Sequence, residues 1–264
     1  MIRSWHGSRF YGLMLLIMDS ITIYGRHAVV EAVRKRADVI SALYADEAFI
    51  NDPKNAKHLK SIGKVEVFDV RRLPPGVDRK SVHQGYAAIL DDSKLMIPFK
   101  DFKQTLVANP DTSIVILGEV QDPHNVGAII RSAAAFGVSA VLIPKHRQAP
   151  VNGTVIKVSV GTAFSIPLVE VGNVNNALRD LKDKGFWVYG LDMEGDSSLP
   201  TEDFSRPSVF VVGNEGGGMR EKTKSHCDSI LTIPMHPRAE SLNASVSAAT
   251  VLYAWSTKHS SSLA

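Results

Sequence analysis

The residues best able to do chemistry fall in three separated stretches. In Asp122-Pro123-His124-Asn125-Val126-Gly127 an amide side chain precedes Arg131 by six positions. In Gly213-Asn214-Glu215-Gly216-Gly217-Gly218 a carboxylate sits inside a glycine loop, where it has little hydrophobic reason to be. In Ser241-Leu242-Asn243 a hydroxyl and an amide flank one leucine. A guanidinium, a carboxylate, a hydroxyl and amides can together bind anions and orient polar groups. Each has a plainer reading: Asn125 as a helix N-cap, Arg131 as a surface charge, and the glycines as a tight turn.

The glycine loop matches neither common nucleotide signature. Glu221 stands where a Gly-x-Gly-x-x-Gly would need its third glycine, and no Gly-Lys-Ser/Thr ending follows. Lone Cys227 excludes an intrachain disulfide and suits a reducing, cytoplasmic compartment. His226 beside it does not make a metal site, because adjacent residues rarely converge on one ion and no Cys-x-x-Cys is present. A net charge of +3 permits a polyanionic partner without demanding one. Residues 19–92 hold 12 Lys/Arg against 11 Asp/Glu, so any RNA surface there must be a local patch. Arg71, Arg72, Arg79 and Lys80 lie between two expected strands, as either a solvated face or an RNA contact.

Elements must position these residues. Continuous β-branched runs at 113–117 and 209–212 read as strands buried on both faces. Further strands are expected at 138–143, 166–169, 186–191 and 230–233, with helices through 135, over 173–184 and from 244 to 255. Asn125 is expected as N-cap of the first of these helices, and Gly137 and Gly185 as stops. This alternation argues a parallel sheet with helices on both faces, and ligands bind at the carboxyl edge of such sheets. Upstream, strands at 21–24, 40–48, 65–68 and 86–90 and helices at 25–36 and 53–62, the latter opened by Asp52, form a smaller α/β unit. The division expected is an extension over 1–18, a first domain over 19–91, a linker with one helix over 92–112, and a second domain over 113–264. Residues 10–18 are apolar after Arg3 and Arg9, but too short a run to span a bilayer.

The three stretches resemble, in order and spacing, motifs 1, 2 and 3 of the SpoU-type RNA ribose 2′-O-methyltransferases of the SPOUT superfamily. Ile233-Pro234-Met235 joins Ser241-Leu242-Asn243 in the third motif. Ile23-Tyr24-Gly25-x-His27-Ala28-Val29 and His83-Gln84-Gly85 are similar to the small ribosomal-protein-like domain of the branch that methylates one guanosine of 23S ribosomal RNA. The resemblance implies an RNA-binding first domain and a second domain of α/β type, knotted as a trefoil on a parallel sheet. It implies a homodimer with the active site at its interface, S-adenosyl-L-methionine as methyl donor, 23S rRNA as substrate, and neither metal nor membrane. Transfer RNA as substrate, or a silent RNA-binding homologue, stand as alternatives.

By the same resemblance, Arg131, Asn125, Glu215, Ser241 and Asn243 are the catalytic set. Gly190, Gly213, Ile233, Met235 and Leu242 are the cofactor-binding set, the glycines allowing close approach and the apolar residues forming walls for the adenine. The match of Arg131 to the catalytic arginine leaves two roles, proton acceptor or clamp on the phosphate beside the target ribose. The loop 236–240 lacks a glycine common among relatives, and Lys157-Val158-Ser159-Val160-Gly161 has valine where alanine is usual.

Overall fold

The computed structural model describes residues 20–214 and 216–263. The expected extension, 1–18, and Glu215 lie outside the described residues. The chain divides into two compact units, up to Leu95 and from Met96 onward.

In the first unit β1 (Ser20–Tyr24) leads through Gly25, at φ 99°, into α1 (Arg26–Arg36). Ala28, Val29, Ala32 and Val33 recur at helical spacing and are all buried. Then follow β2 (Ile40–Ala45), α2 (Glu47–Asn51), α3 (Ala56–Leu59), β3 (Lys64–Val67) and β4 (Ala87–Asp91). The sheet order is β1-β4-β2-β3, antiparallel except for the β2–β3 pair. The strand expected to reach residue 48 stops at Ala45, because the Asp46 carboxylate accepts the Phe49 amide at 2.7 Å and opens a helix there. Asp52 caps only a turn, accepting Lys54 N at 2.9 Å, so the helix expected from 53 shrinks to α3.

The second unit is one eight-stranded parallel sheet. Its elements run β5 (Ile97–Pro98), α4 (Phe99–Thr105), β6 (Ser113–Leu117), α5 (Pro123–Ala135), β7 (Ala140–Pro144), α6 (Gly153–Val158) and β8 (Leu168–Val171). They continue through α7 (Val174–Asp183), β9 (Trp187–Leu191), β10 (Ser197–Ser198), β11 (Ser208–Val212), α8 (Glu221–Lys224), β12 (Ser229–Thr232) and α9 (Ala244–Lys258). The order across the sheet is β10-β12-β9-β11-β6-β7-β8-β5. Every residue of β6, β7 and β11 is buried, as their unbroken apolar runs require when helices cover both faces. Within the stretch expected as a linker, β5 pairs with β8 and Phe99 and Phe102 pack on the second unit's core.

Two local departures bear on the site. Asp122, not Asn125, caps α5: its carboxylate accepts His124 N at 2.8 Å, with Pro123 in the first turn. Asn125 instead lies buried inside the helix. A Cβ on Gly127 would fall 2.8 Å from the Val155 carbonyl oxygen and 2.8 Å from Val158 Cβ, so motif glycine 127 is set by α5–α6 packing. Gly137 does end α5, at φ 72°.

Candidate active site

Because all eight strands run one way, their carboxyl ends share one edge of the sheet. There the chain leaving β9, β11 and β12 encloses a cleft of about 470 Å³, inside the ~300–1,000 Å³ range of small-molecule sites.

The loop after β11 forms one wall. Asn214 and Gly218 exchange two backbone hydrogen bonds of 3.0 Å, folding the glycines back on themselves. Gly213 sits at the base of that fold: an added Cβ would lie 2.6 Å from the Gly218 carbonyl carbon and 2.8 Å from Met219 N. The Asn214 side chain spans to the loop after β6, donating to the Glu119 carbonyl at 2.8 Å and accepting from Gly216 N at 2.8 Å. Arg220 closes the same junction through both Glu119 carboxylate oxygens, at 2.9 and 3.0 Å. The first two motif loops are therefore tied to each other directly.

The chain after β12 forms the other wall. Ile233, Met235, Ser241 and Leu242 line it. Met235 and Leu242 are each 36% exposed and Met193, opposite, is 61% exposed. Three large apolar side chains left open around one cleft fit a flat apolar ligand group. Ser241 stands exposed beside them. Asn243 is the N-cap of α9, its Oδ1 accepting from Ser245 N at 2.8 Å and Val246 N at 3.4 Å.

The cleft floor carries a pair that sequence reasoning missed. Asp192 follows β9 and meets Lys224 Nζ at 2.9 Å, with side chains only 13% and 28% exposed. Burial pushes the Asp192 carboxyl up, but the Lys224 hydrogen bond and the amides of Glu194 and Met193 outweigh it, leaving the group below its ordinary value. Lys224 is raised in turn, chiefly by its hydrogen bond to Asp192. A carboxylate placed directly after a buried strand was a readable signal; its lysine, 32 residues on, was not.

Gly213, Ile233, Met235, Ser241 and Leu242 are thus brought together. Gly190 stops short of the cleft: a Cβ there would meet Met219 Cε at 2.4 Å and Ile230 Cδ1 at 2.8 Å, so the glycine serves core packing. Cys227 Sγ would lie at 3.0 Å from the same point; burial pushes that thiol up to about 12, so it is inert at neutral pH. Asn125 and Arg131 are outside the cleft of their own chain. The Arg131 side chain projects from α5, exposed, with no hydrogen bond or ion pair to any described residue. Among the described residues no group of three His, Cys, Asp or Glu could hold a metal.

The SpoU rRNA methylase family model matches residues 112–253. The chain belongs to the SpoU rRNA methylase family. It is 38% identical over 87% of its length to the 23S rRNA (guanosine-2'-O-)-methyltransferase RlmB of Neisseria meningitidis serogroup B, 92% of which is covered. It is 39% identical to the protein of the same name in Xanthomonas campestris, over 88% of this chain and 94% of that one. Among solved structures, the SpoU methyltransferase AviRb of Streptomyces viridochromogenes, in complex with AdoMet, superposes with a TM-score of 0.73 over 96% of this chain and 99% of that one, at 22% identity. At that identity the likeness concerns the fold, and the expected α/β class stands: a small α/β domain followed by an α/β domain on a parallel sheet.

Proposed function

We propose that this SpoU family chain transfers a methyl group from S-adenosyl-L-methionine to the ribose 2′-hydroxyl of a guanosine in 23S rRNA, in the cytoplasm. The observation that carries the reading is the meeting of motifs 2 and 3 on one cleft, in a chain 38% identical to a 23S rRNA (guanosine-2'-O-)-methyltransferase over most of both lengths. The cleft's apolar side chains suit an adenine, and its backbone-lined glycine wall suits close approach of the rest of the cofactor. When bound, that molecule supplies an activated methyl and its own leaving group. The chain is left to align donor and acceptor and to manage one proton, and alignment alone is worth several orders of magnitude.

Arg131 is assigned to the RNA. A guanidinium gives up its proton only above about pH 12, so proton acceptor is a poor role for it. A fork that grips the phosphate beside the target ribose and stabilises the developing alkoxide is a good one. Ser241, Glu215 and Asn243 are assigned to orienting the arginine, ribose and base, and Asn125 to shaping the helix that presents Arg131.

Since Arg131 lies outside its own chain's cleft, we assign it to the cleft of a second copy. The apolar surface near α5 supports a homodimer. Val246 and Tyr253 of α9 are 48% and 59% exposed, and Phe136 lies edge-on to Tyr253 at 5.8 Å. The partner's Arg131 would then complete each site. The first domain, 19–91, is assigned to RNA binding.

The test is transfer of labelled methyl groups to unmodified 23S RNA by the parent chain and by Arg131→Ala and Arg131→Lys. Both variants are expected to bind cofactor normally and to transfer at most a few per cent of the parent rate, consistent with a bidentate requirement. Substantial activity in Arg131→Lys would sink the fork; parent activity in Arg131→Ala would remove Arg131 from the reaction. Mixed dimers of Arg131→Ala with a cleft-blocked Gly213→Ala chain test sharing, since one intact composite site should restore transfer.

A further inference from the structure

The segment 68–85, between β3 and β4, is the longest irregular stretch of the first unit. It is built as two similar turns. Asp69 Oδ1 accepts Arg71 N at 2.8 Å, and Arg72 N reaches the Asp69 carbonyl at 3.1 Å. Asp78 Oδ1 accepts Lys80 N at 2.9 Å, and Ser81 N reaches the Asp78 carbonyl at 3.0 Å. Each aspartate is thereby engaged by backbone amides, and each turn presents two adjacent cations, Arg71-Arg72 and Arg79-Lys80. All four are exposed, and none has a side-chain partner among the described residues.

The two turns are held in place rather than loose. Between them Val77 is buried, and the Pro75 carbonyl accepts the Thr22 hydroxyl at 3.0 Å. At the ends, the Phe68 and His83 rings stack with centroids 4.6 Å apart at 25°. His83 Nδ1 accepts Gly85 N at 3.1 Å, which leaves its Nε2 edge as a donor. Gln84, at φ 53°, accepts Arg26 N and so joins this segment to the start of α1. Beside the cations the surface is apolar: Val70 and Val82 are 63% and 70% exposed, and Val67 of β3 is 50% exposed. Elsewhere in this unit Arg34, Arg36, Lys64 and Lys94 each have an acidic partner, while Lys35, Lys54, Lys57 and Lys60 are exposed on helices and turns, none of them next in sequence to a second unpaired Lys or Arg.

We infer that this double turn is the surface on which the first domain holds a single-stranded segment of the substrate RNA, with phosphates on the four cations and unstacked bases against Val70, Val82 and the His83 edge. Unpaired cations call for a polyanion, and exposed aliphatic and aromatic surface between them calls for bases that are not already stacked in a duplex. A double helix would offer phosphates and would leave the valines against water. The inference rests on the RNA methyltransferase reading and adds to it where on this domain the RNA is read and in what form.

The test uses the full chain and fluorescent RNA. Arg71→Ala/Arg72→Ala and Arg79→Ala/Lys80→Ala remove charge from side chains that hold nothing within the fold, and Val70→Ser/Val82→Ser removes apolar surface. All three are expected to melt and bind S-adenosylmethionine like the parent, while affinity for single-stranded RNA falls on the order of tenfold for each pair. The slope of log affinity against log salt should flatten by about 0.7 for each phosphate no longer neutralised, so by about 3 in the fourfold alanine variant. The valine variant should weaken binding without changing that slope. Unlabelled single-stranded RNA should compete better than a duplex of equal length. Unchanged affinity and slope in the charge variants would overturn the inference, as would better competition by duplex. Failed transfer to ribosomal particles with RNA affinity intact would instead make this face a protein-binding one, and would also overturn it. If the parent itself transfers no methyl to any RNA, it is the proposed function that fails, and the binding measurements still judge this surface.

Discussion

Gly213→Ala isolates what the glycine loop does. The added methyl would stand 2.6 Å from the Gly218 carbonyl carbon, 2.8 Å from its oxygen and 2.8 Å from Met219 N. Carbon contacts are comfortable near about 3.5–4.0 Å, so three overlaps arise at once. All three partners are backbone, and no side-chain rotation relieves them. Relief comes only by opening the loop, which breaks the two Asn214–Gly218 hydrogen bonds. At about 1 kcal/mol each, that is roughly 2 kcal/mol. If the cofactor needs the closed loop, affinity falls about 30-fold. The midpoint of thermal unfolding should fall by roughly 4–8 °C for a unit of this size. Gly217→Ala is the control from the same loop, since nothing lies within 4 Å of its added Cβ and its φ is not left-handed; its melt should match the parent. Calorimetric titration with S-adenosylmethionine and a thermal melt read both effects. A Gly213→Ala chain that melts and binds like the parent would refute the steric account of this loop.

Other outcomes follow from the same geometry. Asp192→Asn strips Lys224 of its partner on the cleft floor and should cost about 1–3 kcal/mol by denaturant titration. Because Asp192 is depressed in the folded chain, its stabilisation is complete above the ordinary value of 3.8 and fades as pH falls through the lower folded value. Parent and Asp192→Asn stabilities should therefore converge in strong acid; a constant difference down through that range would contradict the pairing. Gly127→Ala should destabilise by about 1–3 kcal/mol through overpacking against α6. Val158→Ala should not rescue it, since the clash is with Val158 Cβ itself, and rescue in a double-mutant melt would refute that contact. Asp46→Ala should cost roughly 1–3 kcal/mol, because it removes both the α2 cap and the acceptor for the buried Tyr86 hydroxyl; a melt unchanged from the parent would sink that.

Much of the fold was legible because strand burial writes itself into composition. The runs 113–117 and 209–212 were expected as interior strands, and both are, the second beginning one residue earlier at Ser208. Caps were harder, since Asp46 competes with Asp52, and Asp122 with Asn125, for the same role. In the second case Pro123 held the deciding information, as proline suits the position directly after a cap. Glycines were visible but not their reasons. Gly190 faces Met219 and Gly127 faces Val158, contacts that join residues far apart in sequence. The Asp192–Lys224 pair was hidden for the same cause. Arg131 lies outside the cleft of its own chain, and the spacing of the motifs did not reveal that.

The central claim is tested most directly by transfer from labelled S-adenosylmethionine to unmodified 23S RNA and unmodified transfer RNA side by side, with the product mapped by alkaline hydrolysis. A 2′-O-methyl group protects its 3′ phosphodiester, so the expected result is label on 23S RNA and one protected bond following a guanosine. Label on transfer RNA alone would keep the chemistry and overturn the substrate. Label whose position remains alkali-sensitive would place the methyl on a base and contradict ribose methylation itself.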